Sequence, residues 1–86
     1  MNRAKCKLAH ALAIAVDDAG NSYVADTGNA GIHKFDARGG YLDSWGAKGT
    51  APGQFGGLGG VAVTAAGALY TSEFGNARVQ VFTQPP

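Results

Sequence analysis

Apolar residues along this chain come in short clusters separated by clusters of glycine, aspartate and asparagine. Ile14-Ala15-Val16 is one such run, closed by Asp17-Asp18-Ala19-Gly20-Asn21, residues that favour a tight turn because Gly and Asn tolerate positive φ. The pattern predicts a strand and a hairpin turn, then a second strand over residues 22–25, a loop over 26–31 and a third strand over 32–35. A turn over 36–40 leads into a fourth strand over 41–45, ending at Trp45. Four short strands in succession predict an antiparallel meander. A glycine-rich connector over residues 46–60 leads to a second set of strands predicted at 61–63, 68–71 and 79–82. Only the Ala-rich start hints at a helix, and the repeat described next reassigns it to a strand.

The two sets are copies of one unit. Ala15-Val16 aligns with Ala62-Val63, Ala19-Gly20 with Ala66-Gly67, Tyr23 with Tyr70, Gly28-Asn29-Ala30 with Gly75-Asn76-Ala77, and Phe35 with Phe82, always 47 residues apart. No gap is needed between Ile14 and Phe35, and Asp26/Glu73 and Ile32/Val79 are conservative pairs. A supersecondary unit recurring at such a period cannot bury its faces alone and stacks on copies of itself. A four-stranded meander at this period predicts the blade of a β-propeller, whose first strand is buried on both faces near the axis. Ile-Ala-Val and Val-Ala-Val, small and apolar, suit that position.

The residues also resemble a known family. Ile14-Ala15-Val16-Asp17 through Ala19-Gly20-Asn21, then Tyr23-Val24-Ala25-Asp26-Thr27-Gly28-Asn29, then residues 32–35 look like the NHL repeat, as do Trp45-Gly46 and Gly53-Gln54-Phe55. The resemblance covers residues 12 to 83 and implies an all-β fold: two four-stranded meander blades of an NHL-type β-propeller, the second lacking its outer strand. The blades are expected at 12–46 and 61–86, joined by a Gly-rich connector at 47–60, with residues 1–11 as part of a neighbouring blade. Such propellers usually have six blades. Three departures stand out: Gly31 occupies the place where Arg78 stands in the second copy, Asp26-Thr27 becomes Glu73-Phe74, and Leu58-Gly59-Gly60 replaces the usual proline before the first strand. The last predicts a flexible connector, since glycine loses the most entropy on ordering.

Composition narrows the function classes. The 14 glycines and 15% charged residues suit a turn-rich β protein, and a net charge of +1 supplies no broad field for nucleic acid or an anionic membrane. The single cysteine, Cys6, allows no internal disulfide, and no C-x-x-C pair offers a zinc framework. Arg3, Lys5 and Lys7 precede the apolar run over residues 8–16, with Ala11-Leu12-Ala13 or Ala13-Ile14-Ala15 as small-x-small cleavage sites, the outline of a short signal peptide. The repeat favours a strand there instead, and with it a cytoplasmic over a secreted chain. No apolar stretch reaches the roughly 18 residues of a membrane span.

In a meander, successive turns alternate between the two ends. The 26–31 and 73–78 loops and the connector are therefore expected at one end and the tight hairpins at the other. Function generally sits on longer loops held by a rigid scaffold, so the candidate binding face comprises Thr27, Asn29, Lys48, Thr50, Gln54, Phe55, Asn76 and Arg78. Asp26, Asn29, Glu73 and Asn76 recur at repeat spacing, and short polar side chains in loops usually bond their own backbone. Arg78 has two readings of equal weight, a residue of this binding face or a repeat-locking residue that pairs with a carboxylate of a neighbouring turn.

Catalytic chemistry is thin. His33 and Asp36 are not placed as a pair by strand alternation, and no serine or cysteine nucleophile sits in a motif beside them. Gly57-Leu58-Gly59-Gly60-Val61-Ala62 matches the G-x-G-x-x-A dinucleotide pattern but opens a predicted strand instead of a helix. No catalytic, cofactor or metal residue is assigned. The expected function is a non-catalytic scaffold for protein binding or assembly, completing a six-bladed ring with copies of itself, a trimer first, or with other proteins. Alternatives implied by the resemblance are a fragment of an amidating-lyase or lactonase-like propeller enzyme, for which Asp26 and Glu73 are the nearest metal-binding candidates, and an RNA-binding NHL domain.

Overall fold

The computed structural model describes Leu8 and residues 10–83. Strands β1 (Ala11–Val16), β2 (Ser22–Asp26), β3 (Gly31–Phe35) and β4 (Tyr41–Trp45) form an antiparallel sheet in that order. After the short β5 (Ala47–Lys48) and β6 (Gln54–Phe55), strands β7 (Leu58–Val63), β8 (Leu69–Glu73) and β9 (Arg78–Phe82) form a second antiparallel sheet. The meander is thus as the turn chemistry predicts, and among the described residues the chain contains no helix. Leu58-Gly59-Gly60 lies inside β7, so the segment with the dinucleotide-like spacing is strand from Leu58 onward and opens no helix.

The repeat extends below the level of strands. The β1–β2 ladder shifts register between Ala11 and Ala13, and the β7–β8 ladder shifts between Leu58 and Gly60, leaving Leu12 and its counterpart Gly59 as the extra residues of matching bulges. Gly20 and Gly67, 47 residues apart, both take φ 88° in their hairpin turns. Ala30 and Ala77, also counterparts, take φ 52° and 51°, the left-handed region that alanine visits only at some cost.

Cross-strand register assigns the faces. Ala13, Tyr23, Ala25, Ile32 and Trp45 share one face of the first sheet; Val61, Val63, Leu69, Thr71, Gln80 and Phe82 share one face of the second. These faces pack together, with β1 and β2 lying against β7. Tyr23, Ala25, Ile32, Phe55, Leu58 and Leu69 form the buried cluster, flanked by Trp45, Val61, Val63 and Phe82. Burial of β1 on both faces is not observed. Only one of its faces meets the second sheet, and on the other Ile14 and Val16 are 63% and 60% exposed.

The connector departs most from expectation. Glycine content predicts a flexible segment, but β5 and β6 pair in parallel and the Phe55 side chain is fully buried between the sheets. Its ring packs 5.9 Å from that of Phe82, centroid to centroid, and rests on Gly46, where a Cβ would stand within 2.5 Å of the ring. Gly46 takes φ 110°, so glycine serves here for close approach and for conformation. The connector folds down because one large aromatic in it belongs to the core. Residues 1–11, expected as part of a neighbouring blade, depart from that at their end: Ala11 is in this chain's own β1, and the His10 carbonyl accepts the Thr27 N–H at 3.0 Å. The remainder of that segment, Leu8 apart, lies outside the described residues.

Candidate functional site

The loop end of the molecule is organised around a buried carboxylate. Glu73, the last residue of β8, accepts Arg78 Nε–H at 2.8 Å and the Gln80 side-chain amide at 2.8 Å on Oε2. Its Oε1 accepts the Asn76 amide at 2.9 Å and the Gly56 backbone N–H at 3.0 Å. Strand alternation explains the convergence: Glu73 pairs with Arg78 across the β8–β9 turn, and Thr71 and Gln80 follow on the same face. Burial pushes the Glu73 carboxyl up, but the Arg78 bond, followed by Gly56, Gln80 and Asn76, outweighs it and holds the group at about 2.

The same donors reach across to the connector. Arg78 gives Nη1–H to the Thr50 carbonyl at 2.7 Å and Nη2–H to those of Gln54 at 2.7 Å and Ala51 at 3.1 Å. Gln80 Nε2 donates to the Gln54 carbonyl at 2.7 Å, and Asn76 Nδ2 to that of Gly49 at 2.9 Å. One guanidinium and two amides therefore tie the stretch 49–54 to a single ion pair. The carboxylate partner expected for Arg78 is Glu73, within its own hairpin.

Asp26 is the counterpart of Glu73 in the first sheet. It accepts the His10 N–H at 2.8 Å, the Gly28 N–H at 3.1 Å and the Asn29 amide at 2.9 Å, and His33 Nε2 lies 3.5 Å from its Oδ2. Asp26–His33 and Glu73–Gln80 have the same sequence separation, a signal available from the repeat, whereas attention to the nearer Asp36 obscures it. Asp36 instead accepts the backbone N–H groups of Arg38 and Gly40 within its own turn. With Gly31 in place of Arg78, the first sheet has no guanidinium fork. A local reason is visible: a Cβ at Gly31 would stand 3.0 Å from the Trp45 carbonyl oxygen of the adjacent β4.

The candidate binding face divides accordingly. Phe55 does not belong to it, being core. Asn76, Arg78 and the backbone of Gln54 and Thr50 are engaged within the chain, and Asn29 is bonded to Asp26 although exposed. Thr27 is half-buried; Lys48 and the Thr50 side chain remain as exposed polar groups at this end. The set is a structural lock, with little left to contact a ligand.

At the opposite end a cleft of about 370 Å³ opens between the β1–β2 and β7–β8 turns, lined by Asp17, Asn21, Tyr23, Lys34 and Thr64 among others. Asp17 is partly desolvated, which pushes it up, yet bonds from the Asn21 N–H, Tyr23 hydroxyl, Asn21 amide and Ala19 N–H hold it below its ordinary value. Lys34 lies over the Tyr23 ring, 5.4 Å from its centroid. The lining is thus occupied with itself. Among the described residues no three His, Cys, Asp or Glu side chains gather where they could hold a metal ion.

Exposed apolar side chains also stand on the outer faces of the two sheets. Ile14 and Val16 project from the first, and Tyr70, Val79 and Val81 from the second; Tyr70 is 42% and Val79 63% exposed. Contiguous apolar exposure of this kind marks interaction surface more often than it does solvent-facing sheet. In comparison with known proteins, no family model matches the chain and no curated protein matches it.

Proposed function

We propose that the chain is a non-catalytic NHL-type propeller module, an assembly scaffold that completes a ring of blades by association with copies of itself. The observation that carries this reading is the pair of apolar outer faces, one on each sheet, beside a loop end whose polar groups are spent on internal bonds. A two-sheet unit with both outer faces apolar has the composition of a segment cut from a longer stack. Three copies, each giving two sheets, complete the six blades that the NHL resemblance implies. Among the described residues β9 is the outer strand of its sheet, and a strand edge is itself a pairing surface.

The enzyme alternative draws nothing from the two carboxylates proposed for it, because Asp26 and Glu73 are both filled by hydrogen-bond donors of their own sheets. Nucleic-acid binding would need a basic face with free aromatics, and Arg78 is committed to Glu73 and the connector. Light scattering over a range of protein concentrations tests the scaffold reading. It expects three times the chain mass of 8.7 kDa; a folded monomer at all concentrations overturns it.

A further inference from the structure

We infer that the joint between copies is heterologous: the outer face of the first sheet of one copy seats on the outer face of the second sheet of the next. The inference rests on the self-association just proposed and specifies its contact.

The argument comes from comparing the repeat with the register. Inside the chain, the first sheet packs through the face holding Ala13, Tyr23, Ala25 and Ile32, while the second packs through the face holding Val61, Val63, Leu69, Thr71 and Phe82. Shifted by the repeat, these are not the same face. The counterparts of Tyr23, Ala25 and Ile32 are Tyr70, Ser72 and Val79, which line the open face of the second sheet. The counterparts of Val61, Val63, Thr71 and Phe82 are Ile14, Val16, Val24 and Phe35, on the other face of the first, where Ile14 and Val16 are exposed and Val24 and Phe35 lie buried beside them. Each molecule therefore carries counterparts of both halves of the joint already formed within it, one at each side, reached through Ile14 and Val16 on the first sheet and Tyr70 and Val79 on the second. A joint of that kind is directional, and a directional contact closes into a ring or propagates as a filament. A two-fold contact of like faces would set Ile14 against Ile14 or Tyr70 against Tyr70, a packing with no precedent inside the chain.

The counterparts are close enough in character to serve. Tyr23 and Tyr70 are identical, Ile32 and Val79 both β-branched, and Phe35 and Phe82 identical. Leu8 stands where Phe55 stands in the second copy, an apolar residue at the corresponding place in the repeat. Two features make the intermolecular joint smaller than the internal one. Ser22 replaces the buried Leu69, and Trp45, which packs 6.3 Å from Phe82, has no counterpart on the described second sheet. The association is therefore concentration-dependent.

One-sided variants test it. Ile14→Lys blocks the face of the first sheet and Tyr70→Lys that of the second, and both positions are exposed in the single chain, so folding should survive; circular dichroism checks this, with Val16→Lys as a substitute for Ile14→Lys. Each variant alone is expected at the mass of one chain, and their equimolar mixture at twice that mass, because one intact face of each kind remains and they fit only each other. If the unaltered protein associates but either variant still dimerises alone, or the mixture stays monomeric, the heterologous joint is wrong and self-association stands. If the unaltered protein is monomeric, both fail.

Discussion

The Nε of Arg78 stands 2.8 Å from Oε2 of Glu73, whose side chain has no solvent exposure, and the rest of the guanidinium is spent on three carbonyls of the connector. A buried ion pair is not by itself a source of net stability, because desolvation opposes its Coulomb gain. Here the pair does something else. The planar fork matches several acceptors at once, so a segment rich in glycine is held by side chains of the second sheet instead of by its own backbone preferences.

Arg78→Ala is expected to destabilise the chain by about 3 kcal/mol, because it leaves the Glu73 carboxylate buried with only neutral donors and frees three carbonyls. Arg78→Lys should recover little of this, since an ammonium cannot span Glu73 and the connector together. Urea denaturation measures the loss, and limited proteolysis should show new cleavage within residues 49–54. A variant with unchanged midpoint and no such cleavage would show that the fork is decorative.

The same carboxylate makes stability pH-dependent. Glu73 is held at about 2 in the folded chain against a reference of 4.5, a depressed acid. Its contribution is therefore fully present above about pH 4.5 and is lost as pH falls toward about 2. Denaturation midpoints should be flat with respect to this group between pH 7 and 5 and fall steeply below. In Glu73→Gln the steep part should shrink, leaving the slope from Asp17, which is shifted in the same direction. An equal slope in both proteins would assign the acid sensitivity elsewhere.

Legibility of the fold in the sequence follows the physics of each segment. Strands β1 to β4 were readable because their turns carry Gly, Asn and Asp at fixed places and the apolar runs between them have strand length. The connector is harder to read because composition speaks to entropy and not to contacts: a packed aromatic is the plain reading of Phe55, but the structure alone shows that its ring fills the space over Gly46. The internal bonding of Asn76 and Arg78 at the loop end is not legible in the same way. Alternation places Glu73, Arg78 and Gln80 on one face, yet nothing in the linear pattern says that this face looks onto the connector. The paired faces were legible only in combination, from the repeat together with the register.

Ala30 and Ala77 offer a stabilising change. Both hold φ near 50° at the same point of counterpart turns, a region costing an alanine roughly 1–2 kcal/mol. Glycine removes that strain and loses about 0.5–1 kcal/mol through the freer unfolded chain. Ala30→Gly and Ala77→Gly are each expected to raise stability by about 0.5–1 kcal/mol, and the double variant by nearly the sum, the turns being in different sheets. A fall in thermal midpoint for either would mean that the alanine methyl makes a contact worth more than the strain.

Phe55 and Gly46 form a ring-on-backbone contact whose two sides can be separated. Phe55→Ala empties a fully buried site and should cost about 3–5 kcal/mol, a large share of the roughly 4–13 kcal/mol available to a chain of this length. Gly46→Ala fails for two reasons: the Cβ would meet the Phe55 ring at 2.5 Å and the Ala30 carbonyl oxygen at 3.0 Å, and φ 110° is unsuited to alanine. Only the ring clash vanishes when Phe55 is truncated. In the Phe55→Ala background, Gly46→Ala should therefore cost less than alone, by a coupling of about 1–2 kcal/mol measured in a double-mutant cycle. Strict additivity would mean that the ring does not rest on Gly46 in solution, and the connector would then be the free segment its glycines suggest.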